Sequence, residues 1–341
     1  MKKSLIALAV LAASGAAMAQ SSVTLFGVVD AGYAVGKGAT NKTQLATDRI
    51  GSSRLGFRGV EDLGGGMRAE FWLEAGVGND SGAGANTNTN NQATGATTSG
   101  LNFNRKSTVG LVGSMGEIRL GRDYSPQFYP DAQYDPFGTN GVASSLIAYG
   151  GGFAAVRASN MVAYHSPNVG GFTVMLGSYM GENNTGAAAG KAGDGNGIHV
   201  RYVNGPLALG IASATTKTGL TTEVKTSTMG GSYNLGVANV MFNSNTVSNT
   251  GAADIKGTLI GAAIPMAGGT FKLSNASLKQ GAAETKRNAI GYVKPLSKRT
   301  SLFATYARNG NSGGAARGLN GATVNANQSS TGYDLGVNHT F

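Results

Sequence analysis

The amino-acid sequence predicts an all-β fold, a transmembrane barrel of antiparallel strands, and three observations support this fold class. Short stretches that alternate apolar and polar residues recur along the chain, whereas amphipathic helical periods are almost absent. The chain has 55 glycines but only 13% charged residues, about half the charged fraction of an average soluble domain. Its last strand ends on an aromatic residue, which would be a sticky edge in water but suits a sheet closed within a membrane.

The last strand shows the two-faced character of the predicted wall most clearly. Tyr333, Leu335, Val337 and Phe341 fall on one side of an extended chain, while glycine, aspartate, asparagine and threonine fall on the other. Such a strand has one apolar side for lipid and one polar side for water.

The start of the chain has the three parts of a bacterial secretory signal peptide. A Met-Lys-Lys start is followed by an apolar core at 5–13 and by small residues that end before Gln20. The core is too short to span a bilayer, which needs roughly 20 residues in a helix. We therefore expect a signal peptide at 1–19 and a barrel domain at 20–341.

Turn chemistry predicts sixteen strands. Seven segments marked by Gly, Pro or Asn have the character of short hairpin turns, and eight longer polar stretches separate them. An even strand number with short turns at one end and long loops at the other is typical of bacterial outer-membrane barrels, and sixteen strands enclose a water-filled lumen. The predicted turns are 61–66, 113–116, 167–171, 204–206, 234–237, 265–269 and 295–300, and the predicted loops are about 36–48, 78–102, 122–158, 180–196, 214–225, 243–256, 279–287 and 309–330.

Alternation also assigns residues to the two faces of the wall. Leu55 and Phe57 point to lipid in the second predicted strand, so the arginines beside them point to the lumen. The opposite phase would place charges in lipid, at a cost of about 2–4 kcal/mol each near the midplane. The charged residues assigned to the lumen on the first three strands are Asp30, Arg54, Arg58, Arg68, Glu70 and Glu74.

Several other function classes find little support. Cysteine is absent, so neither disulfides nor thiolate metal sites are expected. The net charge of +10 comes from scattered basic residues rather than from clusters with interleaved aromatics, which argues against a nucleic-acid partner. A G-x-S-x-G match at 310–314 lies in a Gly-rich loop with no strand-to-helix turn, so we expect no enzyme, no cofactor and no metal site.

Five segments together carry a resemblance to a known family over essentially the whole barrel domain. They are SRLGFRGVEDLGGGMRAEFWLEAG (53–76), FNRKSTVGL (103–111), IRLGRDYSP (118–126), PLSKRTSLFATY (295–306) and YDLGVNHTF (333–341). The chain resembles the trimeric general-diffusion porins of Gram-negative outer membranes, in their β-proteobacterial branch. The resemblance implies a homotrimer of sixteen-stranded barrels in outer-membrane lipid, assembled by the barrel-assembly machinery, each with a pore for small hydrophilic solutes and anions.

The resemblance further implies a constriction where the third loop folds into the barrel opposite an arginine ladder. For the ladder we carry over Arg54, which alternation also places in the lumen, together with Arg105 and Arg157. Arg105 shares the parity of lipid-facing residues, so Lys106 competes for that place, and Arg58 is either part of the ladder or an ordinary wall residue. The remaining members, Asp131 and Asp135, would form the acidic side on the loop or simply cap its turns.

The terminal residue Phe341 is expected to serve both as a lipid-facing aromatic and, by the resemblance, as an assembly signal. Basic and acidic walls facing each other would create a transverse field that favours anions modestly.

Two alternatives to a general-diffusion pore stay open. Aromatic residues in or near the third loop would suit a substrate-selective channel with a sliding track, and a barrel with an incidental pore would be an adhesin or a structural protein. The aromatic residues concerned are Tyr124, Phe128, Tyr129, Tyr134, Phe137 and Tyr149.

Overall fold

A computed structural model describes residues 22–92, 100–145, 154–184, 186 and 189–341, which form one closed antiparallel sheet around a lumen. The expected signal peptide at 1–19 lies outside the described residues. The strands are β1 (Ser22–Lys37), β2 (Lys42–Thr47), β3 (Arg54–Gly64), β4 (Met67–Gly76), β5 (Lys106–Gly113), β6 (Gly116–Tyr124), β7 (Arg157–His165), β8 (Phe172–Tyr179), β9 (Gly195–Asn204), β10 (Leu207–Lys217), β11 (Glu223–Asn234), β12 (Asn239–Asn249), β13 (Ile255–Met266), β14 (Gly269–Gln280), β15 (Ala283–Pro295), β16 (Thr300–Ser312) and β17 (Ser330–Thr340).

The barrel closes because β1 pairs with β17 on one side and with β2 and β3 on the other. Residues 31–36 of β1 pair with β2, and residues 22–28 of β1 pair with β3. The two strands β2 and β3 therefore occupy one position in the wall. From β3 to β17 each strand pairs with its neighbours in sequence. The predicted sixteen-stranded barrel is therefore confirmed, with β2 as one extra strand.

The break between β2 and β3 is a local excursion that the sequence pattern did not reveal. Residues 48–53 leave the sheet opposite Val29 and Asp30 of β1. The buried carboxylate of Asp30 accepts the backbone N–H groups of Arg49, Ile50 and Gly51 at 2.6–3.1 Å. This carboxylate thus holds a strand break that would otherwise leave backbone donors unpaired.

All seven predicted turns lie between paired strands, but four predicted loops were too long. Loop 36–48 is largely the hairpin between β1 and β2, and the later loops shrink to residues 218–222, 250–254 and 281–282. The strands continue past their apolar part, with buried and exposed positions still alternating. Small polar residues pair in these strands as well as apolar residues do. The predicted loops were too long because strands had been recognised only by alternating apolar residues.

The predicted faces agree with the wall. Leu25, Phe57 and Tyr33 are exposed on the outer surface, whereas Asp30 is completely buried on the inner side. Loop 3, the stretch between β6 and β7, folds into the lumen and contains the short helix α1 (Phe128–Gln133), which contacts β10 and β11. Within the described ranges, no helix has the length and apolarity required to cross a membrane.

Candidate pore constriction

Three arginines from separate parts of the wall line one cavity of about 580 Å³ in the lumen, together with residues of loop 3. Arg54 opens β3, Arg105 immediately precedes β5, and Arg157 opens β7, so all three sit where strands enter the wall. The strand break at 48–53 lines the cavity on the same side as the arginines, and loop 3 lines the other side. Other residues of the lining are Asp48, Gly51, Ser52, Tyr124, Phe128, Ala132, Gly138, Thr139, Asn140, Gly141, Ser144 and Val156.

Arg105 reaches the lumen because it lies outside the regular alternation of β5. Its backbone N–H donates to the carbonyl of Glu74, and its Nε donates to Glu74 Oε1 at 2.6 Å. The same carboxylate oxygen lies 3.7 Å from Arg54 Nε, and Trp72 Nε1 donates to Oε2 at 3.0 Å. One carboxylate therefore orients two arginines of the wall and offsets part of their charge.

Arg157 is held by an aromatic ring and a backbone carbonyl. Its guanidinium carbon lies 4.6 Å from the centre of the Tyr124 ring, and Nε donates to the Arg105 carbonyl at 2.8 Å. In the part of the chain that the structure describes, no carboxylate lies within 4 Å of this guanidinium. The charge of Arg157 is thus the least compensated of the three.

Lys106 and Arg58 also face the lumen, outside the cavity lining. Lys106 Nζ lies 3.1 Å from Asp123 Oδ2 and 4.9 Å from the centre of the Trp72 ring. The guanidinium of Arg58 lies over the rings of Phe26 and Trp72, four residues further along β3 than Arg54. The sequence had suggested that Arg105 and Lys106 compete for one place in the lumen. In the structure both side chains point inward, so they do not exclude each other.

Loop 3 packs against the opposite wall at glycine residues, which leave space for its side chains. Gly210 and Gly230 are direct partners across β10 and β11, and a Cβ on Gly230 would lie 2.5 Å from the ring of Tyr134. Phe137 would meet a Cβ on Gly291 at 2.9 Å. Further sockets of the same kind are Gly177 and Gly197 for Pro126, Gly261 for Pro136, and Gly332 for Val142. We call these seven residues the glycine sockets.

The tip of loop 3 is hydrogen-bonded back to the wall near the strand break. The N–H of Gly141 donates to the Asp48 carbonyl at 3.0 Å, and the N–H of Val142 donates to Asp334 Oδ2 at 2.8 Å. Ser52 Oγ donates to Asn140 Oδ1 at 2.9 Å. The loop thus crosses the lumen and is fixed at both sides, which makes the constriction a preformed feature.

The two acidic residues assigned to loop 3 do not belong to the cavity lining. Asp135 accepts the N–H groups of Phe137, Thr139 and Ser145 at 2.8–3.1 Å, and its residue is 5% exposed. Asp131, 2% exposed, accepts a hydrogen bond from Asn245 Nδ2 at 3.4 Å on the far side of the loop. Of the two expected roles, the geometry favours the structural one; a contribution of these carboxylates to the pore field stays a prediction.

The aromatic residues near loop 3 pack rather than form an open track. Phe128, Tyr134 and Phe137 are buried, and Tyr129 stacks on His199 with ring centres 5.2 Å apart. Burial raises the pKa of the Tyr134 phenol, so this ring is a neutral peg. Tyr149 lies outside the described residues.

Sequence reasoning missed several residues of the site. Ser52 and the 138–141 segment lacked any charge or motif that would mark them, because the strand break and the path of loop 3 bring them together. Behind the loop, Lys272 Nζ lies 5.9 Å from the Phe137 ring centre, and Arg287 Nη1 donates to the Ser144 carbonyl at 2.8 Å. Inward parity on β14 and β15 would have placed both in the lumen.

Phe341 extends the backbone pairing of β17 with β1, where the two ends of the barrel meet. Its backbone exchanges two hydrogen bonds with Gly27, each 3.1 Å long. A Cβ on Gly27 would lie 2.2 Å from the Phe341 ring, so the end of the aromatic side chain occupies the space that the glycine leaves free on the outer surface. Its expected role as an assembly signal is not tested by this contact.

Comparisons with known proteins agree on one family. Residues 5–314 match the family described as Gram-negative porin. The chain is 41% identical over 365 residues to outer membrane porin protein 32 of Delftia acidovorans, with 100% of both chains covered. It is 29% identical to an outer membrane porin protein of Bordetella pertussis, covering 91% of this chain and 95% of that protein.

Solved structures show the same fold. The anion-selective porin from Comamonas acidovorans superposes with a TM-score of 0.83 at 35% identity, covering 94% of this chain and all of that one. The trimer form of OmpT from Vibrio cholerae superposes with a TM-score of 0.63 at 13% identity, covering 94% of this chain and 99% of that one.

Proposed function

This chain belongs to the Gram-negative porin family, and from that premise we propose that Arg54, Arg105 and Arg157 form the basic side of its pore constriction. Family membership makes it an outer-membrane porin, a channel protein of the Gram-negative outer membrane. The proposal adds the residues, an anion preference and the general-diffusion mode of transport.

The observation that carries the proposal is the imbalance of charge around the cavity. Three guanidinium groups face it, against the carboxylate of Asp48 in the lining and that of Glu74, which binds two of the arginines; among the described residues no carboxylate lies within 4 Å of Arg157. Low-dielectric walls focus such a field across a narrow aqueous neck, and arginine stays ionised at any relevant pH. Passing anions are stabilised and cations are repelled, without any chemical step.

General diffusion is supported over substrate selection by the same lining. Glycine, serine, threonine and asparagine form most of the loop side of the cavity, and most of the aromatic rings of loop 3 are buried. Small polar groups accept many solutes equally, since they offer hydrogen bonds without a shaped apolar surface. The relative named anion-selective supports the sign of the preference.

The test is the reversal potential of the purified protein in a planar bilayer under a salt gradient. Wild-type protein should reverse on the anion side. In Arg54→Ala the anion-to-cation permeability ratio should fall about tenfold, because one unit charge about 6 Å from an ion contributes about 0.7 kcal/mol in water and acts with opposite sign on anions and cations. Arg299→Ala, in an exposed periplasmic turn, is the matched control and should leave the ratio unchanged. Equal ratios in wild type and Arg54→Ala would remove Arg54 from the ladder, and folded protein without conductance would contradict the diffusion pore.

A homotrimer, a cleaved leader and a terminal assembly signal complete the proposal. A related fold is described as a trimer, and three closing steps in single-channel records would show three pores per assembly. The mature chain should begin at Gln20, and its measured mass should correspond to residues 20–341. Deleting Phe341 should lower the yield of assembled barrels while those that form keep wild-type conductance; an unchanged yield would contradict the assembly signal.

A further inference from the structure

The single tryptophan of the chain lies on the inner face of the wall, where its ring meets a phenylalanine across a strand. The rings of Trp72 on β4 and Phe26 on β1 have their centres 5.0 Å apart, at an interplanar angle of 65°. Strand β3 runs between these two strands, and a Cβ on its Gly56 would lie 2.3 Å from the Phe26 ring. The missing side chain of Gly56 therefore lets the two rings meet over β3, where both stay half-buried.

The guanidinium of Arg58 is held over both rings. Its carbon lies 5.4 Å from the centre of the Phe26 ring and 5.3 Å from that of Trp72, its direct partner in the pairing of β3 with β4. Such cation–π contacts fix the position of a guanidinium while its N–H edge stays free to donate hydrogen bonds. Arg58 is exposed, and among the residues that the structure describes no carboxylate lies within 4 Å of it. This arginine is therefore oriented by rings but not neutralised.

The carboxylates next to Trp72 on the inner face of β4 are paired with other cations. Each of them lies within 4 Å of two arginines other than Arg58. The pairs are Glu74 with Arg54 and Arg105, and Glu70 with Arg68 and Arg119. Lys106, whose Nζ lies 4.9 Å from the centre of the Trp72 ring, is paired with Asp123. An anion that approaches these rings therefore meets the guanidinium of Arg58 without a competing carboxylate on it.

This group lies on the periplasmic side of the constriction. Arg58 is four residues beyond Arg54 on β3, towards the short turn that joins β3 to β4. Four strand residues correspond to about 13 Å along the chain. A solute that has crossed the constriction from outside therefore passes Arg58 and the two rings before it leaves the barrel.

We propose that Arg58, Phe26 and Trp72 form a binding site for aromatic carboxylates such as benzoate. The carboxylate accepts two N–H groups of the Arg58 guanidinium, in the bidentate geometry that this group offers. The ring of the ligand packs against the accessible parts of the Phe26 and Trp72 rings, edge to face or offset. An inorganic anion would use the guanidinium alone, whereas an aromatic acid uses the charge and the rings together.

This inference rests on the proposed function, because the site serves transport only if solutes cross the pore. It refines general diffusion by naming a class of solute that is retained on its way through the lumen. Solutes without a negative charge or without a ring lack one of the two contacts and pass the site as they pass the rest of the wall.

The fluorescence of Trp72 tests the site directly, because the chain has no other tryptophan. The reporter is 4-nitrobenzoate, a nitroaromatic quencher of tryptophan, titrated into folded protein in detergent. The competitors are benzoate and cyclohexanecarboxylate, which carry the same charge at neutral pH and differ in having an aromatic or a saturated ring. Quenching should saturate, and benzoate should reverse it at a lower concentration than cyclohexanecarboxylate.

Two variants that each lose one lumenal positive charge separate binding by Arg58 from a general field. Arg58→Gln should raise the concentration of 4-nitrobenzoate for half-quenching about tenfold, since a hydrogen-bonded ionic contact is lost. Arg68→Gln is the matched control and should behave like wild type, because Arg68 is an exposed inward arginine whose Nε lies 3.6 Å from Glu70 instead of over the rings. Phe26→Leu should abolish the advantage of benzoate over cyclohexanecarboxylate.

Three results would overturn the proposal: linear quenching in wild type, an equal loss in both arginine variants, or equal competition by the two acids. The reversal potential of the same protein distinguishes this inference from the proposed function. Saturable quenching in a protein without conductance would contradict the pore and keep the site, whereas linear quenching in an anion-selective channel would contradict the site alone.

Discussion

The two walls of the lumen differ in the residues that they present: one carries long cationic side chains and the other carries glycines. The wall of β3, β5 and β7 presents long cationic side chains to water, with Glu74 and Tyr124 orienting them. The wall from β8 to β17 presents glycines, because loop 3 has to approach its backbone. From this comparison we expect ion selectivity to depend on the charges of one wall, and the position of loop 3 to depend on the absence of side chains at the other.

The two walls should therefore respond differently to substitution. Changes in the glycine sockets should alter stability and the position of loop 3, whereas changes on the arginine wall should alter ion selectivity while the barrel stays folded.

The largest effect is expected for Gly230→Ala. The new Cβ would lie 2.5 Å from the buried ring of Tyr134, and overpacking of this kind typically costs about 1–3 kcal/mol. Unfolding in denaturant and single-channel conductance should both change. Gly310→Ala is the matched control, because a Cβ there meets nothing within 4 Å. Adding Tyr134→Leu to Gly230→Ala should recover part of the stability; failure to do so would show that Tyr134 is not what Gly230 accommodates.

Asp135→Ala should have the next largest effect, on loop 3 itself. The substitution leaves three backbone N–H groups without their acceptor, and we expect a loss of about 2 kcal/mol and noisier single-channel currents. Ion selectivity distinguishes the two roles considered for this carboxylate. A steady open channel with a markedly higher anion preference would mean that Asp135 acts through the pore field, against the loop-holding role.

Glu74→Gln should produce a smaller change of opposite sign to Arg54→Ala. Removing the carboxylate that offsets Arg54 and Arg105 should raise the anion-to-cation permeability ratio by less than Arg54→Ala lowers it, because Glu74 lies behind the arginines and outside the cavity lining. Glutamine can still accept from Trp72, so folding should be retained. The reversal potential measures the change, and a lower ratio would show that Glu74 chiefly positions the arginines.

Arg58→Gln is expected to have the smallest effect. Its guanidinium lies over Phe26 and Trp72 and outside the cavity lining, and in 0.1 M salt the effect of a charge on an ion in the constriction is screened over a Debye length of about 10 Å. Selectivity should stay close to wild type. A shift as large as that of Arg54→Ala would extend the ladder to Arg58.

Local sequence determined the membrane barrel, its turns and the faces of its strands. Each strand side chain has one of two directions, and a wrong phase would place charges such as Arg54 and Glu74 in lipid, so the pattern of a few residues suffices. The same rule could not place Arg105, which enters the lumen just outside β5, nor recognise small polar residues as strand.

Only the tertiary structure decided the constriction. Arg54, Arg105 and Arg157 are far apart in sequence, and their common cavity depends on barrel closure, on the break held by Asp30 and on the path of loop 3. The glycine sockets were invisible among 55 glycines, because a missing side chain acquires a role only when another residue, such as Tyr134, comes to occupy the space.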